Sequence, residues 1–370
     1  MAVLHVLFYC FIGVGVIQFF FYLGFLNYFA LQKKTSVSRN NIPISVIICA
    51  KNEAENLKDN LPTIINQDYN NFEIILINDN SSDDTLEVME SFASKHQNIS
   101  IVNVKPIEHF WGNKKYALTL GIKASNHDFL LFTDADCIPN SKHWIKEMSS
   151  HFSNTKSIIL GFGAHKKIKF SLLNKLIRFE TLLTAVQYFS YARIGLPYMG
   201  VGRNLAYRKE LFFNNSGFKE HMTIKSGDDD LFINTVANKN NTALCCSEEG
   251  FTLSEPKTSF RDWFRQKRRH ISTAKYYKPA HKFLLGLYFL SQFLFWSLAL
   301  LLLSFLFHWK IVLTLLGVRI FLQMISLGIS AKKLKSSDLI VLLPILEIFL
   351  ILFQLTIFSA NLISKPKHWK

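Results

Sequence analysis

Cysteine is scarce in this sequence and occurs in no pattern that binds a metal. The five cysteines stand at positions 10, 49, 137, 245 and 246, and no pair has the spacing of a zinc ligand set or a redox motif. The last two are neighbours in the chain and are poorly placed to bridge each other. The sequence therefore predicts reduced thiols, as in a cytoplasmic protein, and no zinc site.

Charge is absent from the start of the chain. Residues 1–30 contain no Lys, Arg, Asp or Glu, and about 20 apolar residues are enough for a helix to cross a bilayer. A secretory signal peptide would begin with a basic segment and end at a small-residue cleavage site, and neither is found near Ala30. We therefore predict a retained transmembrane anchor at residues 1–31.

Three further apolar runs occupy the C-terminal part of the chain, at residues 283–307, 311–331 and 339–363. Each is long enough to cross a bilayer as a helix. The third contains Pro344, and three crossings would put the basic tail 364–370 on the membrane side opposite to the polar central segment. Two interpretations stay open for this run, a third span or a re-entrant hairpin. Residues 283–363 are therefore predicted to hold two or three transmembrane helices.

Positive charge exceeds negative charge by 15 and is concentrated before these runs. Residues 256–282 hold nine Lys or Arg and one Asp. We predict a basic interfacial helix at 258–282 that binds anionic lipid headgroups. No nucleic-acid motif accompanies the charge, so no nucleic-acid partner is expected. Lys33 and Lys34 follow the first predicted span, and the positive-inside rule then places the central segment in the cytoplasm, at the inner or plasma membrane.

The central segment, residues 32–257, alternates short apolar runs with helical patterns. The runs ISVIICA, FEIILIND, ISIVNV and HDFLLFTDAD are rich in β-branched and aromatic residues and are typical of strands. This alternation predicts an α/β fold, a mostly parallel sheet flanked by helices. Ligands of such sheets bind beyond the carboxyl ends of the strands.

Polar side chains gather at these predicted strand ends, namely Asn52, Glu53, Asp79, Asp134 and Asp136. Two carboxylates one residue apart, Asp134 and Asp136, suit a divalent cation such as Mg²⁺ or Mn²⁺, which can also bind phosphate oxygens. Taken alone, the pair fits a solvated turn as well. Its position at a strand end, among other polar residues, favours a nucleotide and metal site.

Two later motifs supply further candidates. SGDDDLF places Asp228, Asp229 and Asp230 at the start of a helical pattern, and three carboxylates exceed what a helix cap needs, which favours a base that deprotonates a hydroxyl. In WFRQKRRH, Gln266 and Arg269 share one helical face with the following histidine. This helix either lies only on anionic lipid or also directs an arginine at a leaving diphosphate.

Together these motifs resemble the membrane-bound glycosyltransferases of family 2, relatives of cellulose and hyaluronan synthases and of many bacterial polysaccharide enzymes. The resemblance runs from VIICAKNEAENL through NDNSSDDT, DAD, GVGRNLAYRKELF and SGDDDLF to QKRRH and the C-terminal apolar runs. It implies a GT-A fold in residues 32–257. It also implies transfer of a sugar from a nucleotide diphosphate to a hydroxyl, with inversion at the anomeric carbon.

The resemblance implies a role for each matching residue. Those that would bind the donor are Ala50, Asn52, Glu53, Asp79, Asp134 and Lys114, with Lys115 in its place if the register slips by one. The metal ligands would be Asp136 and Asp134. The catalytic residues would be Asp229 as general base, Asp228 beside it, and Gln266 and Arg269 at the diphosphate.

One position departs from the family pattern. Where the family usually has tryptophan after the arginine, this chain has His270, which would be a smaller and more polar floor for the acceptor. This change favours addition of one or a few sugars to a lipid-linked or glycan acceptor, at the cytoplasmic face, over processive polymer synthesis. UDP is the nucleotide expected from the family, with GDP as an alternative.

Functions other than transfer of a sugar share some of these sequence features. A processive polysaccharide synthase and a non-catalytic nucleotide-sugar sensor remain as alternatives, although a sensor would not need a base. A nucleotidyltransferase would have a Gly-rich, basic loop after the first strand, and AKNEAEN is neither.

Two further sequence features predict how the helices pack. Residues 170–193 have apolar positions at helical spacing, and this helix lies either at the bilayer surface or in the domain core. Arg319 and Glu347 each interrupt an apolar run, and charges within a membrane need a partner. We predict that these two side chains pair.

Overall fold

The protein is described here by a computed structural model that covers residues 1–31, 41–105, 114–224 and 226–364. Lys33, Lys34 and nearly all of the predicted basic tail lie outside the described residues, as does the start of the GNKKYAL segment.

Within those residues, ten strands form two sheets. The strands are β1 (Ile44–Ala50), β2 (Phe72–Asn78), β3 (Ile99–Asn103), β4 (Phe129–Asp134), β5 (Cys137–Pro139), β6 (Ile158–Leu160), β7 (Gly163–His165), β8 (Leu205–Arg208), β9 (Thr242–Leu244) and β10 (Thr252–Ser254). The helices are α1 (Ala2–Leu31), α2 (Ala54–Ile65), α3 (Thr85–Ala93), α4 (Lys114–Ala124), α5 (Trp144–Ser149), α6 (Leu172–Arg193), α7 (Lys209–Asn214), α8 (Asp230–Val236), α9 (Phe260–Ile271), α10 (Pro279–Ser304), α11 (Trp309–Lys333) and α12 (Leu343–Ile363).

The larger sheet has the strand order β3-β2-β1-β4-β8-β6-β9. β1 to β4 are parallel to one another, as predicted, and β8 is antiparallel to both of its neighbours. The parallel strands are apolar along their length because helices cover both faces of the sheet. The predicted α/β fold with a mostly parallel sheet is therefore confirmed, and β8 is an antiparallel strand that the sequence reading did not include.

The strand register brings the predicted polar positions to one edge. Ala50 is paired with Asn78, and Cys49 with Asp134, so β1, β2 and β4 end together. The smaller sheet, β5-β10-β7, follows directly beyond β4. Side chains that come just after these strands therefore face a common space.

Four helices are long and apolar enough to cross a membrane: α1, α10, α11 and the segment Ser337–Ile363 that contains α12. The chain is accordingly a membrane protein. α1 packs against α10 and α11. α12 is one continuous helix with Pro344 in its first turn, where proline is tolerated, so the structure does not show the re-entrant hairpin.

The predicted pairing of the two intramembrane charges is confirmed. Arg319 Nη2 lies 2.6 Å from Glu347 Oε1, and both side chains are buried. Glu347 also accepts hydrogen bonds from Tyr22 and Trp296, at 3.0 and 3.1 Å. One glutamate thus joins α1, α10, α11 and α12.

Both ends of α12 are bound to elements of the polar domain. Just before the helix, Asp338 accepts two hydrogen bonds from Arg178 of α6, at 2.7 and 2.8 Å. At its far end, Arg268 of α9 donates to Asn361 Oδ1 at 2.8 Å. Between them, Trp263 of α9 stacks on Phe353. α12 therefore runs along the domain and does not lead away from it.

The helix predicted at 170–193 is α6, and it is buried along most of its length. It packs against α1, α11 and α12 on one side and β7 on the other. This position agrees with the core-helix interpretation, and it makes α6 the link between the sheet and the membrane helices.

Candidate active site

A cavity of about 440 Å³ opens at the carboxyl edge of β1, β2 and β4. Its walls come from these strand ends, from the segment before α8, and from α6, α9, α10 and α12. Ten of the twelve residues proposed from the sequence as donor, metal, catalytic or acceptor residues line it: Glu53, Asp79, Lys114, Asp134, Asp136, Asp228, Asp229, Gln266, Arg269 and His270. The two that do not are Ala50 and Asn52.

Lys114 lies at the centre of the charged side chains. Its Nζ is 2.9 Å from Asp134 Oδ1 and 3.3 Å from Asp228 Oδ2. Burial opposes its charge, but these two carboxylates outweigh burial and hold the pKa of Lys114 well above its usual value. Lys115, the alternative in the sequence reading, points elsewhere and donates to three backbone carbonyls. The structure thus puts Lys114 in the cavity.

Asp134, Asp136 and Cys137 each bring one potential ligand atom within 4.8 Å of the others. Burial and the charge of Asp134 raise the pKa of Asp136, as expected for crowded carboxylates. The thiol of Cys137 is buried and donates to Asp136 Oδ1 at 3.3 Å, so it supports the carboxylate. Two carboxylates with room for phosphate oxygens fit a hard divalent cation such as Mg²⁺ or Mn²⁺.

Asp229 is held by backbone groups and faces the cavity. Its Oδ2 accepts from the N–H of Gly202 at 2.6 Å, and its Oδ1 accepts from the N–H of Asp230 at 2.7 Å, as an N-cap of α8. Burial and the neighbouring carboxylates of Asp228 and Asp230 raise its pKa to about 7. A carboxylate with this pKa is suited to accept a proton at neutral pH.

Asp230, the third aspartate of the run, has a structural role. It is buried, and its Oδ2 accepts hydrogen bonds from Thr273 and from the Tyr277 hydroxyl, the latter at 2.6 Å. Both partners lie in the segment between α9 and α10. The helix that begins at the candidate base is therefore bound to the segment that enters the membrane helices.

At the other end of the cavity, Asp79 and Glu53 follow β2 and β1. Burial raises the pKa of Asp79, while Lys51 and Lys114 oppose the shift. Ala50 is fully buried, and its carbonyl accepts from the Asp79 N–H at 2.9 Å. Asn52 has a positive φ of 55° and its Oδ1 accepts from the Ser82 N–H. These last two residues shape the turns around the cavity instead of lining it.

The helix α9 presents Gln266, Arg269 and His270 to the cavity, as its helical spacing predicts. Burial lowers the pKa of Arg269 from its usual value, and Asp228 opposes that shift. The same helix carries Trp263 and Arg268, which contact α12. One helix therefore contacts both the cavity and the membrane helices.

Several lining residues were not proposed from the sequence. Lys51 follows β1, Arg203 lies in GVGRN, and Glu180 and Lys267 form an ion pair at 2.6 Å between α6 and α9. Tyr198 and Tyr277 complete the wall near α10. A signal existed for Arg203, which stands in a glycine-rich segment of the family pattern. The ion pair joins residues 87 positions apart, and no local sequence pattern predicts such a contact.

Comparison with known proteins agrees with this geometry. Residues 45–214 match the family model described as glycosyl transferase family 2. The probable glycosyltransferase YdaM of Bacillus subtilis (strain 168) is 34% identical over 122 residues, which are 31% of this chain and 29% of that protein. The poly-beta-1,6-N-acetyl-D-glucosamine synthase of Staphylococcus epidermidis (strain ATCC 35984) is 33% identical over 95 residues, 26% of this chain and 22% of the synthase. The matches thus span under a third of the length of these relatives.

A solved structure resembles nearly the whole chain. The mannosyltransferase PcManGT from Pyrobaculum calidifontis, in complex with GDP-Man and Mn²⁺, aligns with a TM-score of 0.60 over 90% of this chain and 98% of that one, at 16% sequence identity. At this identity the likeness shows the fold, which is GT-A. Residues 45–214 of this membrane protein thus carry the sequence pattern of glycosyltransferase family 2, on a GT-A fold with a cavity at the sheet edge.

Proposed function

We propose that this protein transfers a sugar from a nucleotide diphosphate donor to a hydroxyl group of an acceptor at the membrane, with inversion at the anomeric carbon. The observation that carries the proposal is a single cavity that holds a carboxylate with a raised pKa, Asp229, together with the paired Asp134 and Asp136 and the cation of Arg269. A nucleotide-sugar sensor would not need the first of these.

In the proposed reaction, the side chains of this protein act by position and charge. Asp229, fixed by two backbone N–H groups, accepts the proton of the acceptor hydroxyl as its oxygen attacks the anomeric carbon. Arg269 and Gln266 hold the departing diphosphate, whose negative charge increases during the reaction. Asp136 and Asp134 would hold Mg²⁺ or Mn²⁺, which neutralises phosphate charge when bound. No covalent intermediate with the protein is required.

The donor end of the cavity is assigned to the nucleotide. In this proposal Asp79 and Glu53, which line the cavity, bind the nucleotide base and ribose, and Ala50 and Asn52 support the turns beside them. UDP is the nucleotide we expect from the family. The resemblance to a fold that binds GDP-Man and Mn²⁺ supports a nucleotide sugar and a divalent metal as the class of ligand, with GDP as the alternative.

The acceptor is proposed to be lipid-linked or a glycan, reached from the cytoplasmic face of the cell membrane. The basic helix α9 beside the membrane helices supports this location. His270 in place of an aromatic floor supports addition of one or a few sugars. Processive synthesis is the second candidate function, and the similarity to a poly-N-acetylglucosamine synthase is what favours it.

The test is release of nucleoside diphosphate by the detergent-purified chain. A panel of UDP- and GDP-sugars is offered with Mn²⁺ or Mg²⁺ and a total lipid extract as acceptor source. Release from one donor is expected, and it should be abolished in Asp229→Asn and Asp136→Asn. Asp59→Asn, which alters an exposed carboxylate on α2, is the matched control and should keep full activity. Binding of a donor without turnover on the entire panel would contradict a transferase and favour the sensor.

A further inference from the structure

The cavity continues beyond the candidate base into the membrane helices. Besides Asp229, its walls include Tyr198 and Tyr277, and from the membrane helices Leu285 of α10 and Leu350 and Phe353 of α12. The lining thus combines charged, hydroxyl-bearing and apolar side chains. A water-soluble sugar chain has no hydrocarbon part that could pack against the apolar side chains of this cavity.

The position of α12 explains why an apolar wall adjoins a catalytic centre. Its two ends are bound by Arg178 of α6 and Arg268 of α9, and these two helices also line the cavity. The outward face of α12 carries exposed apolar residues such as Ile345, Phe349 and Leu352, as expected for a surface in lipid. One face of α12 thus suits lipid, while Leu350 and Phe353 of the same helix line the cavity.

Charge in this part of the cavity favours a neutral acceptor over an anionic one. Lys267 is paired with Glu180 at 2.6 Å, so this cation is already compensated. Asp229, which accepts hydrogen bonds from two backbone N–H groups, faces the acceptor position and would repel a phosphate when ionised. A phosphate acceptor is also an anion at neutral pH and needs no base, whereas an alcohol must lose a proton as it attacks.

We propose that the acceptor is a membrane lipid with a neutral alcohol headgroup, whose hydrocarbon chain lies between α10 and α12 while its hydroxyl reaches Asp229. This inference rests on the proposed glycosyl transfer. The lipid oxygen forms a bond to the anomeric carbon, and the bond from that carbon to the diphosphate oxygen breaks. The alcohol proton passes to Asp229, and the electron pair leaves with the nucleoside diphosphate. The product is a lipid glycoside.

The experiment uses the full chain in phosphatidylcholine vesicles with a sugar-labelled donor and one added acceptor at a time. The acceptors are two neutral lipid alcohols, dioleoylglycerol and monoglucosyl dioleoylglycerol, then a polyprenyl phosphate, and then a water-soluble oligosaccharide. Label is expected in the organic phase with a neutral alcohol, and it should survive mild acid, which cleaves glycosyl phosphates but leaves alkyl glycosides intact. Label that enters only the polyprenyl phosphate or the oligosaccharide would overturn the inference.

A matched pair of variants tests the chain-binding part of the cavity. Leu285→Trp fills the apolar wall, and Leu290→Trp places the same side chain on the exposed face of the same helix, away from the cavity. Transfer to the lipid alcohol should fall at least tenfold in the first and stay unchanged in the second, with equal donor affinity in both. Equal transfer by both variants would also overturn the inference.

Failure of this inference can be told apart from failure of the proposed function. Donor binding, measured by titration calorimetry with Mn²⁺, and turnover with any acceptor report the glycosyltransferase alone. Turnover without label in either neutral alcohol would refute the lipid alcohol and leave glycosyl transfer in place. Donor binding without turnover on any acceptor would refute both.

Discussion

Buried carboxylates occur in two regions of this protein, and their surroundings differ. In the helix bundle, Glu347 forms an ion pair with the guanidinium of Arg319 and accepts hydrogen bonds from the side chains of three more residues. At the sheet edge, Lys114 is shared between Asp134 and Asp228, and among the described residues the hydrogen-bond donors to Asp229 are backbone N–H groups. In the first arrangement the charge of the carboxylate is balanced by the guanidinium. The second leaves negative charge that a cation, a phosphate-bound metal or a proton would relieve.

This comparison separates stability from function. A buried charge that loses its partner destabilises a protein, because the remaining charge stays out of water. Crowded carboxylates do the opposite, since removal of one relieves repulsion within the group. The two regions should therefore respond in opposite ways when a single charge is removed.

The largest effect is expected for Asp229→Asn. Loss of a general base typically lowers a rate by about 10²–10⁴, and the single carbonyl oxygen of asparagine can still accept from one of the two backbone N–H groups that bind Asp229. Turnover should fall by that amount while the melting temperature in detergent stays the same or rises. A drop in melting temperature similar to that of a bundle variant would mean that Asp229 serves the fold and not the reaction.

The next effect is expected in the bundle. Glu347→Leu leaves Arg319 buried without its carboxylate, and breaking a buried pair costs about 3–5 kcal/mol. The melting temperature in detergent should fall clearly, and the double variant with Arg319→Met should recover part of the loss. Glu55→Leu, at an exposed site on α2, is the control. Unchanged stability in both single variants, Glu347→Leu and Arg319→Leu, would show that the pair contributes nothing.

A smaller effect concerns pH. Because Asp229 must be ionised to accept a proton and its pKa is raised to about 7, turnover should increase with pH and reach half its maximum near pH 7. Asp228→Asn removes a neighbouring negative charge, which eases ionisation of Asp229, so the midpoint should move to lower pH by on the order of one unit. The pH profile of turnover at saturating donor measures this shift. A midpoint that stays in place would assign the titration to another group.

The smallest effect on activity is expected for two cysteine variants that test which side of the membrane each region faces. α12 is bound at both ends by helices of the polar domain, so we expect its last residues to lie on the same side as that domain. Ser364→Cys should react with an impermeant maleimide from the side where the domain is accessible, and His308→Cys, in the turn between α10 and α11, from the other side. Activity should hardly change. Labelling of both cysteines from one side would contradict this arrangement.

Features of the fold and the site that depend on residues close together in the sequence could be predicted. Contacts between segments far apart in the sequence could not. Asp134 and Asp136 were predictable because strand ends in a parallel sheet meet at one edge, and the face shared by Gln266 and Arg269 follows from helical period. The partners of Asp230 and the pair of Glu180 with Lys267 join segments far apart in the chain, and no local pattern specifies them. The direction of α12 was also beyond the sequence, since an apolar run shows that a helix can lie in lipid but not where its ends are bound.

The hydrogen bonds between Asp230 and the segment after α9 determine where the chain could be truncated. A soluble fragment that ends at residue 257, the predicted end of the central domain, would lack both Thr273 and Tyr277. Asp230 would then be a buried carboxylate without its two hydroxyl donors, one residue from the candidate base. The segment that leads into the membrane helices therefore also stabilises the start of α8, beside the candidate base. Removing residues 258–364 would remove these hydrogen bonds together with the C-terminal membrane helices.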